Sequence, residues 1–441
     1  MKESSLGREK ELAGKSTMKH THRLNVLVSA YACNPEGSLQ LHPGEDLTGW
    51  ELLKQLSRFY NLWVLTHRYN EKGIRSVLSR LDLPHVHFFF LELPSYLKWL
   101  YGIEFAQRIY YYFWQFKAWH VARKLRRKIF FQASQHLTFG NFWMPSFIGA
   151  FLKVPFIWGP VGGGQRTPRP LLKEYSFYGV LAEKFRGVAQ WIGLHLLISR
   201  WLCLKRAKAI LVCNLETKGR IPAKYFDKIQ LFPVNGISRD DLIVKKPLSS
   251  HRKKTFRILT SGRFIRLKGF SLAIRAFSLF VKKYSQAILE VVGSGPEEKR
   301  LRELVSHLNI QDKVVFPGWL PRESVLCRMR ESDLFLFPSF RDGGGAVVVE
   351  AMASGLPIVV LDSGGPSFHA MGDWGIKIKP GNPDQVASDI AEVLEKLFLD
   401  RRLCREMGQA ARNRAEDYYL WNKLGDRLQE IYSKIVVPKD I

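Results

Sequence analysis

The sequence of 441 residues predicts an α/β protein made of two doubly wound parallel-sheet domains that face each other across a cleft. Three observations predict this fold class. Short strand-like runs alternate with segments of helical periodicity along almost the whole chain, which is typical of parallel sheets covered by helices. These runs are apolar without alternation, as in strands buried on both faces. A polar, basic break at 245–254 divides them into two groups.

Five candidate strands lie on each side of this break. They are 24–30, 61–66, 85–91, 155–159 and 208–213 in the first half, and 256–260, 287–292, 313–316, 333–337 and 357–361 in the second. The predicted domains are 24–245 and 246–415. A polar, basic leader over 1–23, in which Met18 is an alternative start, is expected to be disordered and is not a signal peptide. The last stretch, 416–441, is apolar at helical spacing and is expected to pack back across the cleft onto the first domain.

The formal net charge of +27 is the strongest anomaly in the composition and favours an anionic partner. No apolar run of about 18 residues is present, so we expect no membrane-spanning helix. The cysteines are scattered without CxxC or Cys/His ligand spacing, which predicts reduced thiols in the cytosol rather than a metal site. They are Cys33, Cys203, Cys213, Cys327 and Cys404.

The segment SGRFIRLKGF follows a candidate strand and places two cations, Arg263 and Lys268, near the start of a helix. Cations and free amides at a helix start make an anion site, although a solvated basic turn has the same composition. A second glycine turn, GSGPEEKRL over 293–301, enters a helix in the same way. Taken alone, that turn predicts only a tight loop.

The segment RDGGGAVVVEAMASGLPIVV over 341–360 combines a glycine turn with two acids. The pattern predicts a helix that begins near Ala346, ends at Gly355 and is stopped by Pro357. Amides at its start would point at phosphate or sugar oxygens. Glu350, about one turn further in, can accept two hydroxyl hydrogen bonds, as from a ribose diol. The alternative is that Glu350 pairs with a nearby cation, because burying a lone carboxylate is costly.

Taken together, these motifs resemble the GT-B glycosyltransferases of the family 4 type, the retaining group 1 transferases. The resemblance rests on SGRFIRLKG, VVGSGPEEKRL, VVFPGWLP and FPSFRDGGGAVVVEAMASGLPIVVLDSGGP in the second half, and on VSAYACNPEG, FWMPSFIGAFLKVPFIWGPVGGGQ and FPVNGI in the first. It implies two Rossmann-like domains facing across a cleft, with the C-terminal helix crossing back. The implied reaction moves a sugar from a nucleoside-diphosphate-sugar to a hydroxyl acceptor with retained configuration, in cell-envelope glycan synthesis.

The family pattern also implies roles for individual residues. Arg263 and Lys268 would bind the diphosphate, Asp342 would contact the transferred sugar as the first acid of an E-x7-E motif, and Glu350 would hold the ribose. Backbone amides would be offered to sugar and phosphate by Gly343, Gly344, Gly345, Ala346 and Val347, and the base would be clasped by Gly318, Trp319 and Leu320. No D-x-D motif is present, so we expect no metal and no cofactor besides the donor substrate.

Two departures from the family pattern concern the sugar and the acceptor. The first acid is Asp342 rather than Glu, which shortens its reach. The segment GEDLTGW matches a branch pattern at Glu45, Gly49 and Trp50, but Leu47 replaces a glycine, which puts the acceptor contacts in doubt. A non-catalytic scaffold or membrane protein with this fold, and a nucleotide-sugar epimerase, therefore stay open as alternatives.

Three further residues are candidates on the acceptor side of the cleft. His136 in SQHLTFG follows a strand-like stretch and would hydrogen-bond a sugar hydroxyl, or else it is a structural histidine. Gly163 and Gly164 in GPVGGGQ lie at a strand end that faces the cleft, where they approach a ligand or only pack closely. His136 joins Asp342, Arg263 and Lys268 as a catalytic candidate.

Two aromatic and basic segments, 97–132 and 191–209, suit an interfacial membrane site. Transferases of this fold often use lipid-linked acceptors, so the resemblance implies a cytoplasmic protein bound peripherally to the anionic inner face of the plasma membrane. Nucleic acid is the rival partner, because aromatic residues can stack on bases. No nucleic-acid-binding motif accompanies them, so we expect no nucleic acid. The sequence makes no prediction of oligomeric state.

Overall fold

The computed structural model describes residues 23–36, 43–102, 106–242 and 255–436. Within these ranges the strands form two sheets, one of seven and one of six strands, and every strand pair is parallel. The predicted α/β fold class with two doubly wound units is therefore confirmed. Almost all of the predicted leader and the whole of the break at 245–254 lie outside the described residues, so the domain boundaries stay predictions.

The first sheet has the strand order β3-β2-β1-β4-β5-β6-β7. Its strands are β1 (Asn25–Ser29), β2 (Asn61–His67), β3 (Val86–Leu91), β4 (Ala133–His136), β5 (Phe156–Val161), β6 (Ala207–Val212) and β7 (Ile229–Leu231). The helices of this part are α1 (Pro43–Leu56), α2 (Glu71–Leu78), α3 (Ala106–Arg126), α4 (Phe147–Phe151), α5 (Phe177–His195), α6 (Ile198–Arg206) and α7 (Leu215–Lys218). Every residue of β5 is buried, as expected for a central parallel strand.

The second sheet has the order β10-β9-β8-β11-β12-β13. Its strands are β8 (Phe256–Ser261), β9 (Ala287–Val292), β10 (Val314–Gly318), β11 (Leu334–Phe337), β12 (Ile358–Leu361) and β13 (Gly375–Ile378). Its helices are α8 (Arg239–Leu242), α9 (Phe270–Val281), α10 (Glu298–His307), α11 (Arg322–Glu331), α12 (Ala346–Ala353), α13 (Gly364–His369), α14 (Pro383–Leu399) and α15 (Arg401–Tyr418).

All ten predicted strands are present, with ends within two residues of the predicted ones. The sequence missed β4, β7 and β13, because each is only three or four residues long and none is a continuous apolar run. In β4 the polar side chains are nevertheless buried, since they have partners inside the domain. The Gln135 amide, for example, donates from Nε2 to the Gly159 carbonyl at 2.8 Å.

The last helix, α16 (Trp421–Ser433), crosses back to the first domain as predicted. Its apolar side includes Leu424 and Leu428, which join the core around β1 and α1. The Tyr432 hydroxyl donates to Oε1 of Gln135 on β4 at 2.5 Å. The helix therefore ties the end of the described chain to the first sheet.

The chain passes between the domains at two places that lie side by side. The Ile237 amide donates to the Tyr419 carbonyl at 2.9 Å, and the Trp421 amide donates to the Ile237 carbonyl at 3.1 Å. Beyond Ile237, α8 already belongs with the second domain, because Asp241 pairs with Arg322 on α11. The carboxyl ends of both sheets face the cleft between the domains, which is where ligands bind in such folds.

No single described helix is both long and apolar enough to cross a membrane. The segments Phe177–His195 and Ile198–Arg206 meet the length and composition only when they are taken together, and the pair is bent by 62°.

Candidate functional site

The glycine turn Gly343–Gly345 lies at the carboxyl end of the second sheet and leads from β11 into α12. Gly345 has φ +65°, a left-handed conformation in which glycine is favoured, and it is the residue that precedes the helix. Oδ1 of Asp342 accepts hydrogen bonds from the amides of Gly344 at 3.1 Å and Gly345 at 2.9 Å. Asp342 therefore fixes the turn at the start of α12.

The other oxygen of Asp342 forms an ion pair with Nζ of Lys268. Lys268 ends a short 3₁₀ turn after β8, and Asp342 follows the neighbouring strand β11, so the ends of two adjacent strands bring these residues together. Burial alone would raise the pKa of Asp342, but the Lys268 ammonium and the hydrogen bonds from Lys268, Gly345 and Gly344 outweigh it, so the pKa lies below its ordinary value. Asp342 is therefore ionised at neutral pH and compensates the Lys268 charge.

Arg263 lies after the same strand, but its side chain is exposed. No ion pair joins it to any carboxylate in the part of the chain that the structure describes. Of the two cations predicted for a diphosphate, one is thus paired with Asp342 and the other is free. Their roles stay predictions.

Glu350 lies on the inner side of α12 and pairs with Arg322, with 2.6 Å between Oε1 and Nε. Arg322 also binds Asp241 through both terminal nitrogens, at 2.8 and 3.0 Å. Burial raises the pKa of Glu350 above its ordinary value, against the effect of the Arg322 guanidinium. The cation pairing that was the alternative for Glu350 is therefore present, and the ribose contact stays a prediction.

The segment predicted to clasp the base ends β10 at the rim of the cleft. Gly318 has φ +82°, and its carbonyl accepts from the Gly293 amide at 2.9 Å. Trp319 is 60% exposed. The turn after β9 and the turn after β10 are thus joined through their backbones, and Trp319 extends beyond them into solvent.

The first domain contacts the glycine turn and the start of α13 directly. Nδ2 of Asn214 donates to the Gly343 carbonyl at 3.0 Å. Oε1 of Glu216 accepts from the Gly364 amide at 2.7 Å and from the Ser363 hydroxyl at 3.2 Å. We call Asn214, Glu216 and their partners the interdomain clasp. Sequence reasoning missed it, although polar residues directly after the apolar strand β6 are a usable signal for a sheet edge with a function.

Two side chains of the first domain that have a buried polar atom also lie against this turn. Oε1 of Gln165 and Nδ2 of Asn235 have no hydrogen-bond partner among the described residues. A Cβ placed on Gly344 would lie 2.6 Å from Nδ2 of Asn235, and one on Gly343 would lie 3.0 Å from Nε2 of Gln165. The glycines therefore let the second domain approach these amides closely.

The predicted acceptor-side residues occupy the carboxyl edge of the first sheet. Glu45 lies in the first turn of α1, and its Oε2 accepts from the Phe139 amide at 3.2 Å. Glu45 is exposed to solvent on one side, but the protein atoms around its carboxyl group partly desolvate it, and this desolvation raises the pKa of Glu45 to about 7. A carboxyl group with that pKa can hold or release a proton near neutral pH.

Close packing accounts for glycine at the predicted acceptor-side positions. A Cβ on Gly49 would lie 2.2 Å from the Ala32 carbonyl oxygen, and one on Gly164 would lie 2.4 Å from Cα of Thr217. Gly163 has φ +86°, and its carbonyl accepts from Nε2 of Gln190 at 3.0 Å. Close packing, the alternative for Gly163 and Gly164, is therefore present, and acceptor contacts by all three stay predictions.

His136 ends β4 and is 2% exposed. Its Nε2 lies 2.9 Å from the Tyr111 hydroxyl on α3. Burial lowers the pKa of His136 to about 4, so the ring is neutral at physiological pH. The contact with Tyr111 fits the alternative that His136 is a structural histidine. The contact of His136 with a sugar stays a prediction.

His369 packs against the glycine turn Gly343–Gly345. Sequence reasoning missed this residue, because no local sequence pattern marks it. Nε2 lies 2.6 Å from the Gly344 carbonyl oxygen, which can only accept, so Nε2 carries the proton. Nδ1 then accepts from the Tyr419 hydroxyl at 2.7 Å. Burial lowers the pKa of His369 to about 4, which keeps this neutral tautomer at physiological pH.

In the ranges that the structure describes, no group of three or more His, Cys, Asp or Glu side chains is placed to hold a metal ion. The absence of a metal from the reaction stays a prediction.

The match to a known protein family covers the second half of the chain. Residues 244–414 match the family model of glycosyl transferases group 1. Over 184 residues, 40% of this chain and 47% of the relative, the sequence is 29% identical to a GDP-mannose-dependent alpha-(1-6)-phosphatidylinositol monomannoside mannosyltransferase of Mycolicibacterium smegmatis. The chain spans about half the length of most of the curated relatives it matches.

Two solved structures resemble the whole chain. A glycosyltransferase from Rickettsia africae superposes with a TM-score of 0.62 and 15% identity, over 95% of this chain and 100% of that one. Anabaena HepE in complex with UDP and glucose gives a TM-score of 0.60 and 15% identity, over 93% and 100%. The chain therefore has the two-domain GT-B fold, and its segment 244–414 matches the group 1 glycosyl transferase family.

Proposed function

We propose that the protein is a glycosyltransferase that moves a sugar from a nucleoside-diphosphate-sugar to a hydroxyl acceptor. The observation that carries this proposal is the arrangement of Lys268, Asp342 and the Gly344 and Gly345 amides at the start of α12. These groups lie at the carboxyl edge of the second sheet, inside the segment that matches the group 1 family. They bring a lysine ammonium and the start of a helix to one point of the cleft, where the Asp342 carboxylate holds both in position.

The leaving diphosphate gains negative charge as its bond to the sugar lengthens. We assign the stabilisation of that charge to Lys268 and the exposed Arg263, in the role that a metal ion has in other transferases. Because Lys268 is paired with Asp342 in the structure, a diphosphate has to share or replace the carboxylate at the ammonium. The turn amides stay in place during that exchange, since the Asp342 carboxylate holds them through its other oxygen.

We further propose that the configuration at the sugar is retained. In this reaction the acceptor hydroxyl attacks from the face that the diphosphate leaves, and the departing phosphate accepts its proton. The M. smegmatis relative uses GDP-mannose, and Anabaena HepE was solved with UDP and glucose. The base of the donor is therefore the first property to measure.

Calorimetric titration with UDP, GDP, ADP and CDP tests the donor site. We expect one nucleotide to bind, and the double variant Arg263→Ala/Lys268→Ala to lose about tenfold or more in affinity, because two charge-assisted contacts are removed. The variant Lys282→Ala/Arg405→Ala removes the same charges from exposed positions of the second domain and should bind as the wild type does. Failure of every nucleotide to bind would favour a non-catalytic scaffold.

Turnover tests the chemistry separately. Lys268→Ala should lower turnover by about 100-fold at saturating donor, because the leaving charge loses its nearest cation. Circular dichroism should show an unchanged fold. Near-normal turnover of the folded variant would contradict the assigned role. Release of an epimerised donor without an acceptor would instead identify an epimerase.

We also propose that the first domain binds the anionic inner face of the plasma membrane peripherally, where it meets a lipid-linked or polysaccharide acceptor of cell-envelope synthesis. A stripe of exposed apolar side chains runs along α5 at helical spacing, formed by Phe177, Leu181, Phe185, Val188 and Ile192. Exposing such a stripe to water is unfavourable, and a lipid surface would cover it.

Vesicle flotation tests the membrane proposal. Binding should need anionic lipid and weaken with salt, and Phe177→Ser/Phe185→Ser should reduce it by removing apolar insertion. Leu279→Ser, at an exposed apolar residue of α9 in the second domain, serves as the control. Absence of binding to anionic vesicles, or stronger binding to RNA, would contradict this proposal.

A further inference from the structure

A basic cavity of about 450 Å³ lies in the first domain at the edge of the sheet that points away from the cleft. Its walls come from the end of α3, the segment that leads to β4, and the segment that leads to β5. The cationic residues of its lining are Arg123, Arg126, Arg127 and Lys153, and its apolar residues include Ile129, Phe130 and Val154.

The cavity is separate from the donor site. Tyr111 on α3 reaches His136 at the cleft end of β4. Arg126 lies about four turns further along the same helix, or about 22 Å away at the rise of an α-helix. The strands β4 and β5 begin near the cavity and end at the cleft. A ligand in the cavity therefore does not touch Lys268 or Asp342.

The charge in the cavity is uncompensated. No acidic side chain is among the described residues that line it, and none of its four cations forms an ion pair with a described carboxylate. The only ring contact of Arg123 that the described residues show is with Trp119, at 5.9 Å from guanidinium carbon to ring centroid. The four cations are exposed to solvent, so they repel each other only weakly, but an anion bound between them would be attracted by all four at short range.

The dipole of α3 explains only some of these cations. Arg123 and Arg126 lie in its last turn, where positive side chains are favourable. Lys153 comes from a different segment, between α4 and β5, and lines the same cavity. Two segments that are separate in the sequence thus place positive charge in the same cavity.

We propose that this cavity binds the phosphate of an anionic phospholipid headgroup. The proposal rests on, and deepens, the membrane binding proposed above. The lining is apolar as well as basic, and Phe130 is 57% exposed at its edge. Exposed Phe116 on α3 and Phe151 on α4 continue the apolar surface beside it. A phosphate with an attached glycerol and acyl chains matches this combination, since its charge meets the cations while its hydrocarbon covers the aromatic rings.

Binding to vesicles of phosphatidylcholine, with and without about 30 mol% phosphatidylglycerol, tests the proposal. The variant Arg127→Gln/Lys153→Gln should lose about tenfold or more in affinity for the anionic vesicles, at about 1 kcal/mol for each cation near a membrane. The control Lys282→Gln/Arg405→Gln removes the same charges from the second domain and should change affinity less than about twofold. Equal losses in both variants would overturn the proposal, because binding would then depend on total charge.

A second set of titrations separates lipid from free phosphate. Inorganic phosphate and glycerol 3-phosphate are titrated into the wild type and the cavity variant by calorimetry. Weak soluble binding together with the vesicle effect supports a lipid headgroup. Saturable binding of the soluble phosphates that the variant loses, while its vesicle binding stays at the wild-type level, would overturn the lipid assignment.

Two further measurements keep the outcome clear. If the double variant does not fold, the single variant Lys153→Gln, in an exposed segment, should still reduce vesicle binding severalfold. Nucleotide binding and transfer to a soluble acceptor should be unchanged in both variants. A wild type that transfers sugar but ignores anionic vesicles would overturn the cavity proposal alone, whereas one that binds vesicles without binding any nucleotide would overturn the transferase proposal alone.

Discussion

At the scale of single residues, three charged groups of the site already have partners inside the protein, whereas Arg263 pairs with no described carboxylate. Asp342 compensates Lys268, and Arg322 compensates Glu350. On the proposed function, a bound donor therefore exchanges the contacts at Lys268 and Glu350 rather than filling vacant ones. The sequence singled out Lys268 and Glu350 from motif chemistry, and the family resemblance added Asp342. It did not predict their pairing, because Lys268 and Asp342 are 74 positions apart and only the packing of two strand ends brings them together.

The two buried histidines predict a specific dependence of stability on pH. The pKa of both His136 and His369 is about 4 in the folded protein, against an ordinary value of 6.5. The unfolded chain therefore binds more protons between these values, so stability is full above about pH 6.5 and falls as the pH falls toward 4. Each histidine should cost about 2 kcal/mol between pH 7 and 5. The melting midpoint measured across this range should fall steeply.

The variants His136→Gln and His369→Gln should each give a shallower fall of the melting midpoint with pH, whatever their midpoint at pH 7. The exposed His120 provides the matched control, since His120→Gln should keep the wild-type slope. Identical slopes in all three variants would show that other groups determine the acid sensitivity.

At the scale of elements, α12 begins against the side chain of Asp342 and α13 begins against its backbone. The Gly365 amide donates to the Asp342 carbonyl at 2.9 Å. The ends of α12 were predictable, because glycine and proline mark both of them in the sequence. The contact of α13 was not, since SGGP indicates a turn but says nothing about which segment the turn touches.

The variant Gly364→Ala should disturb this contact. Gly364 has φ +64°, and an added Cβ would lie 2.2 Å from the Asp342 carbonyl oxygen. We expect a loss of about 2 kcal/mol or more in the free energy of unfolding, because left-handed strain and a backbone clash coincide. Nucleotide affinity should also fall, since the glycine turn moves with Asp342.

The control for this variant is Gly187→Ala in the middle of α5. An added Cβ there has nothing within 4 Å, so stability should stay the same or rise by less than about 1 kcal/mol. Melting curves measure the stability of both variants, and calorimetry measures their nucleotide affinity. A Gly364→Ala protein with wild-type stability and affinity would show that α13 does not position the turn.

At the scale of the whole molecule, polar contacts across the cleft hold the domains together. Besides the interdomain clasp, Arg341 pairs with Glu183 of α5 at 2.7 Å. The sequence predicted two facing domains, because alternating strands and helices determine each sheet separately. It did not predict how closely they approach, since these contacts join residues more than 100 positions apart.

The variant Glu216→Ala should open the cleft, because it removes the acceptor of the Gly364 amide and the Ser363 hydroxyl. Small-angle scattering without nucleotide should show a larger radius of gyration than in the wild type. Donor affinity should fall by about tenfold, since part of the binding energy is then spent on closing the domains. The variant Glu395→Ala removes a partly exposed carboxylate whose partners, Lys283 and Tyr284, lie within the second domain, and it should leave both properties unchanged. An unaltered scattering curve for Glu216→Ala would rule out its part in closure.

The neighbouring chain passages at Ile237 and Tyr419–Trp421 determine which movement of the domains is easy. Because the two passages are hydrogen-bonded to each other, they act as one hinge between the domains. Rotation of the second domain about this hinge widens the mouth of the cleft while the two passages stay hydrogen-bonded to each other. Because Trp421 begins α16, which packs on the first domain, the hinge stays fixed to that domain. On the proposed function, a first domain held at a membrane leaves the second domain to swing above the surface, and each closure carries the donor toward the acceptor.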